Sequence, residues 1–199
     1  MGKLYIPKEG DYDAFRKNYL EANNDGERVF LQEFLDNPGN TDKTTVEYRV
    51  RKLNSKYSTR LSTREIGAVV KLIVAPEFDE KLYNDRGNGY ATISYLRILA
   101  SERTKNGTID AYSFATKYCH HCNPNHYPIY DSVNARVMTV YYGYQDTRDY
   151  EKFVECYRAF CMKLIPNIEG LKCQNDDAGF YVDKYIQAIG GTELRKFLP

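Results

Sequence analysis

The sequence predicts an all-α protein, a compact domain of about eight to ten helices. Three observations carry this. Apolar residues recur at helical spacing in nearly every readable segment, as in Val46, Val50, Leu53 and Tyr57. Breaker clusters such as Asn37-Pro38-Gly39-Asn40 separate those segments. No alternating strand pattern runs beyond a few residues, and there is no repeat or low-complexity tract. The 199 residues fit one domain, 1–199, large enough to bury a core without disulfide or metal staples.

The elements follow in order. Asp11 is placed to cap a helix carrying Phe15, Tyr19 and Leu20, which ends near Asn23-Asn24. Glu27 to Leu35 forms a second helix with Phe30, Leu31, Phe34 and Leu35 on one side. The Val46–Tyr57 stripe makes a third. Ser62-Thr63-Arg64-Glu65 reads as a capping box, with Ser62 as N-cap and Glu65 at N3, ahead of Ile66, Val69, Val70 and Ile73. That helix stops before Pro76. A polar loop around Asp85 to Gly89 leads to a helix with Ile93, Leu96, Leu99 and Ala100, ended by Lys105-Asn106-Gly107.

The stretch Ser113–Val137 is the expected centre of the chain. A helix with Ala111, Phe114, Ala115, Tyr118, Cys119 and Cys122 on its apolar face breaks at Asn123-Pro124. After a loop containing Pro128, Asp131 opens the next helix, with Val133, Val137, Val140 and Tyr141 expected inward. Asp146 or Thr147 starts the most regular helix, striped by Tyr150, Phe153, Val154, Tyr157, Phe160, Cys161 and Leu164 and stopped by Pro166. A long helix carries Ala178, Val182, Tyr185, Ile186 and Ile189 to Gly190-Gly191, and a short helical turn closes the chain.

Charge and composition narrow the function classes. The formal net charge is +1, which argues against a strongly basic coat protein. Yet Asp42 to Arg64 holds seven Lys/Arg against two acids, a local balance of +5 against −4 elsewhere. That segment reads either as a phosphate-facing surface or as a solvated helix face. The 19 tyrosines are expected mainly in the core, although tyrosine also stacks on bases. No apolar run has transmembrane length, and the first residues lack a signal core and the Ser/Thr that myristoylation needs. The expectation is therefore a cytoplasmic protein without a membrane partner. Five cysteines in no framework spacing are read as buried thiols.

Cys119-His120-His121-Cys122 invites a zinc reading, but a second ligand pair is missing. Core packing of the cysteines is preferred, and neither metal nor cofactor is expected. His120 and His121 would lie beside the apolar face, where a proton-carrying role is the lesser reading. Asp131 is well placed as an N-cap. A carboxylate there is also favoured in its ionised form by the helix's positive end.

The segment IYDSVNARVM, following a helix and a Pro-containing loop, resembles the catalytic segment of the helix-hairpin-helix DNA glycosylases. On that resemblance Asp131 falls on the catalytic aspartate, Ser132 on the following Thr, and Arg136 and Val137 on an Arg-Val pair. The likeness covers about 25 residues around one short motif. It implies two helical lobes, here about 1–105 and 106–199, with a cleft between them, and double-stranded DNA as partner. Asp131 would act as a base flips into the cleft and its N-glycosidic bond breaks. Tyr130 or His126 would stack on or bond to the flipped base. His121, Lys117, Ser132 and Arg136 lie along the same stretch as further substrate contacts, with Arg49, Lys52 and Lys56 on phosphates. The chain departs from the family in three ways. Residues 106–113 hold one glycine where the family has a Gly-rich hairpin turn. The Schiff-base lysine position falls near Ser113, one turn before Lys117, so that role is not carried over. The four-cysteine iron–sulfur loop is absent. Two other readings stand beside this one: a non-catalytic nucleic-acid-binding or protein-interaction module on the same fold, and an unrelated all-α protein in which Asp131 is only a cap.

Overall fold

The computed structural model describes residues 5–8, 10–22, 25–84, 89, 92–96, 111–145, 149–164 and 178–199. Every regular element among them is helical: α1 Asp11–Glu21, α2 Asp25–Leu35, α3 Lys43–Lys56, α4 Thr63–Ile73, α5 Pro76–Asn84, α6 Tyr112–Cys122, α7 Ser132–Tyr142, α8 Tyr150–Leu164, α9 Ala178–Ile189, and a closing 3-10 turn Glu193–Phe197. A further helical segment covers 92–96. The expected breakers at 85–88 and 105–107, the helix start at 146–147, Pro166 and Cys173 lie outside the described residues. So do Leu99, Ala100 and the hairpin-turn residues 106–110. None of the described helices is long and apolar enough to cross a membrane.

Local chemistry sets the helix starts. Asp42 accepts the Thr45 amide to begin α3. Ser62 and Glu65 form the expected reciprocal capping box at α4. Helix α5 escaped the sequence reading because Pro76 was taken only as a stop. It stands at the first position of α5, where its missing N–H costs nothing. Asp11 is the first residue of α1 and not its cap. Its carboxylate accepts the Lys8 amide and the Tyr5 hydroxyl.

The packing does not divide near residue 105. Helix α6 lies against α2 and α3, and α1 lies against α9. One apolar core draws residues from both halves, including Phe15, Phe34, Val50, Phe78, Tyr118, Val137, Phe153 and Tyr185. The chain ends meet: the Tyr5 amide donates to Ile189 O, Tyr141 OH donates to Tyr5 O, and Asn18 donates to Phe197 O.

Two helices differ from their expected faces. Helix α6 was expected to be amphipathic but is buried nearly all round, with Thr116, Lys117, His120 and His121 inside together with its apolar residues. Helix α7 buries Asn134, Ala135, Val137 and Met138, while Val140 is 60% exposed. Its expected stripe missed Asn134, a polar residue that faces inward because it has partners there. Leu20, expected on the apolar face of α1, is exposed at 39%.

Candidate functional site

The loop between α6 and α7 is held one carbonyl at a time. Tyr127 O faces His120 Nδ1 at 2.8 Å. Pro128 O accepts Tyr150 OH at 2.8 Å, Ile129 O accepts Asn134 Nδ2 at 2.9 Å, and Tyr130 O accepts Thr116 Oγ1 at 3.4 Å. Four successive acceptors are therefore met by side chains of α6, α7 and α8. A loop with no internal ladder needs such partners when it is buried. Tyr127 also sends its hydroxyl to Leu82 O, which ties the loop to α5.

Asp131 follows this loop as the N-cap of α7. Its Oδ1 accepts the amides of Val133 and Asn134, each at 2.9 Å. Its Oδ2 accepts nothing among the described residues, and the residue is only half-buried. One oxygen is thus fixed and the other left available, at the positive end of a helix.

Behind Asp131 runs a seam of buried polar groups. Asn134 Nδ2 also donates to Asp183 Oδ1 at 2.6 Å. Asp183 Oδ2 accepts Gln187 Nε2 at 2.9 Å and lies 3.7 Å from Lys184 Nζ. Lys184 Nζ reaches Glu27 of α2 at 2.6 Å. Burial pushes the Asp183 carboxyl up to about 6. Lys184 pulls it down, and Asp131 adds to the rise. Burial works against the charge of Lys184, but Asp183 and Glu27 outweigh it and hold its pKa above the ordinary lysine value.

Lys117 faces the same region from α6. Its ammonium donates to Ser113 Oγ at 2.7 Å and sits 5.6 Å from the centre of the Tyr57 ring. Burial lowers its pKa, while the charges of Asp131 and Asp183 act to raise it. Burial and the two carboxylates thus act on its charge in opposite directions, and burial is the larger effect.

The other expected site residues are placed as follows. Ser132 is exposed beside Asp131, and His126 is half-buried with its ring edge-on to Tyr127. Tyr130 is a core residue: its ring lies 4.4 Å from Tyr112 and 5.1 Å from Phe153, so stacking on a flipped base is not its place. His121 is likewise interior. Its Nδ1 faces Lys117 O at 2.8 Å, and its Nε2 faces Tyr57 OH at 3.3 Å. A carbonyl opposite Nδ1 requires the proton there, so His120 and His121 are both neutral Nδ1–H tautomers. Burial depresses the pKa of each, that of His120 to about 3.

Arg49 requires a correction. It was expected on a phosphate, but it is 2% exposed. It donates to Gly39 O, Glu33 O and Asn37 O at the end of α2, and its guanidinium stacks on Phe34. A guanidinium that satisfies three carbonyls in the core is a C-terminal clamp for α2. Lys52 is paired with Glu33 at 2.6 Å, and Lys56 is exposed near Phe30. Arg136 bonds to Gly190 O at the end of α9, a tertiary staple where a DNA contact was expected. The CHHC side chains do not converge. Cys119 is in the core, the Cys122 thiol lies 3.9 Å from Asn40 Oδ1, and the two imidazoles face different carbonyls.

Sequence reasoning missed Asn134, Asp183, Lys184 and Glu27. A signal was present in GFYVDKYIQAI, where two adjacent charges interrupt an otherwise apolar helix. Charges on such a helix are buried only with partners.

No curated protein and no solved structure matches the chain. A protein-family model does match, described as HI_0787_N, N-terminal domain, over residues 10–126. It takes in α1 to α6 with Lys117 and stops before Asp131, Asn134 and Asp183. Because this match covers more than half of the 199 residues, the chain belongs to the HI_0787_N N-terminal domain family.

Proposed function

We propose that the protein binds double-stranded DNA around a displaced nucleotide, with Asp131 supplying the carboxylate for cleavage of an N-glycosidic bond. One observation carries the reading: Asp131 Oδ1 is fixed by two amides while Oδ2 takes no bond among the described residues. A carboxylate so oriented can stabilise positive charge growing on the sugar as the bond to the base breaks. It can also take a proton from the attacking water. Lys117 stands behind it as a buried cation, and Ser132 beside it as an exposed hydroxyl. Of the expected phosphate contacts, Lys52 and Lys56 on α3 stay in the set and Arg49 leaves it; exposed Lys43 and Arg51 on α3, Arg60 after it and Arg64 in the first turn of α4 extend the basic face.

The test has two parts. Binding to a duplex with a central abasic-site analogue, beside an intact duplex, is measured across a salt series. Base release from duplexes carrying damaged bases is then compared between wild type and Asp131→Asn. Preference for the modified duplex, with base release lost in the variant, is the expected result. Equal, salt-sensitive binding without release would replace this reading with a non-catalytic DNA-binding module. No binding at low salt would leave Asp131 as a cap alone.

A further inference from the structure

We propose that Asn134 and Asp183 are positioning residues that anchor the Asp131 carboxylate to helix α9. This rests on the reading of Asp131 as the working group. Asn134 is bonded in three directions: its backbone amide holds Asp131 Oδ1, and its side-chain nitrogen holds both Ile129 O and Asp183 Oδ1. One residue therefore grips the loop two positions before Asp131, the carboxylate itself, and a neighbouring helix. Asp183 completes the anchor, and its own place is set by Gln187 and by the Lys184–Glu27 pair. Both Asn134 and Asp183 are fully buried.

An N-cap needs none of this. Capping is complete with the Val133 and Asn134 amides, which Asp131 reaches unaided. A buried asparagine facing a buried carboxylate is costly, the more so because Asn134 Oδ1 has no hydrogen-bond partner among the described residues, and an aliphatic pair would fill the same space without that cost. What the polar pair adds is a directional hold. It fixes the carboxylate relative to α9, as a group acting on a bound sugar requires.

The first measurement is hydrogen exchange by NMR on the wild-type chain. The Asn134 side-chain amide protons should exchange in step with the Val133 and Asn134 backbone amides, as one opening unit. Free exchange of the side-chain protons beside protected backbone amides would overturn the proposal. In Asn134→Ala, exchange of the amides at 133 and 134 should quicken about tenfold or more, and Asp183→Asn, which keeps an acceptor for Asn134 but loses one for Gln187 and the charge beside Lys184, should quicken it less. Slow exchange in a folded Asn134→Ala, or equal loss in both variants, would also overturn it. Base release gives the second readout: Asn134→Ala should lower the single-turnover rate with little change in duplex affinity, and Asp183→Asn should lower it less. If the exchange results hold but wild type releases no base, the anchor stands and the catalytic reading falls.

Discussion

Replacing Asp131 by alanine removes the acceptor for two α7 amides and is expected to cost about 1 kcal/mol in urea unfolding. Asp131→Asn keeps that acceptor and should cost only a few tenths of this. A functional role therefore shows as lost base release in a variant whose stability is unchanged. Arg49 calls for the opposite experiment. Arg49→Ala strips three buried carbonyls of their donor and should cost roughly 3 kcal/mol or more. Lys56→Ala, at an exposed position, should stay within about 0.5 kcal/mol. If Arg49→Ala were as mild as Lys56→Ala, its carbonyl clamp would be immaterial and a surface role would return. The roles of both residues trace to sequence context with different clarity. Asp131 is legible because an acid just before an apolar-periodic segment has a local reason to be there. Arg49 is not, because the carbonyls it serves are brought to it by the turn after α2, and a basic residue within a basic stretch reads as surface.

Helix α9 depends on close approach. A Cβ on Gly179 would lie 2.0 Å from Pro124 O, and Gly179 N donates to Asn125 Oδ1 at 2.7 Å. Gly179→Ala must push the start of α9 away from the α6–α7 turn, at a cost on the order of 3 kcal/mol. Thermal unfolding reads this directly, and an unshifted melting temperature would mean the two segments are not in contact. Helix existence was legible wherever apolar spacing met a cap, as at α3 and α4. Helix orientation was legible only where one face was uniformly apolar. On α6 and α7 the inward faces include Lys117, His120, His121 and Asn134, and periodicity alone sends such residues outward.

The buried imidazoles give the whole molecule a pH dependence. His120 and His121 stay neutral in the fold, held below the ordinary 6.5 chiefly by burial. As the pH drops below that value the unfolded chain takes up their protons and the folded chain does not. Their stabilisation is complete above about 6.5 and is lost at about 1.4 kcal/mol per pH unit for each. Asp183 acts in the opposite sense. Its folded form, pushed up to about 6, binds a proton before the unfolded form does at 3.8, so it adds stability as the pH falls between those values. The net expectation is a loss of about 1.4 kcal/mol per pH unit between roughly pH 6 and 4. Urea midpoints at pH 7, 6 and 5 test it: equal midpoints at pH 6 and 5 would mean that one of the two imidazoles is solvated, and a rise that both are.

The all-α class, the helix–loop–helix centred on residues 113–137 and the cap at Asp131 were all decided locally. Helical period, breaker residues and capping preferences act over a few neighbours and can be read from the chain alone. The Asn134–Asp183–Lys184–Glu27 seam, the burial of Lys117 and His121 beside it, and the withdrawal of Arg49 and Arg136 into structural bonds were decided by the tertiary fold. A buried polar group is defined by its partners, and here Asp183 lies 49 residues from Asn134, Gly190 54 from Arg136 and Lys184 157 from Glu27 along the chain. Only the packing of α2, α3, α6, α7 and α9 brings them within a hydrogen bond.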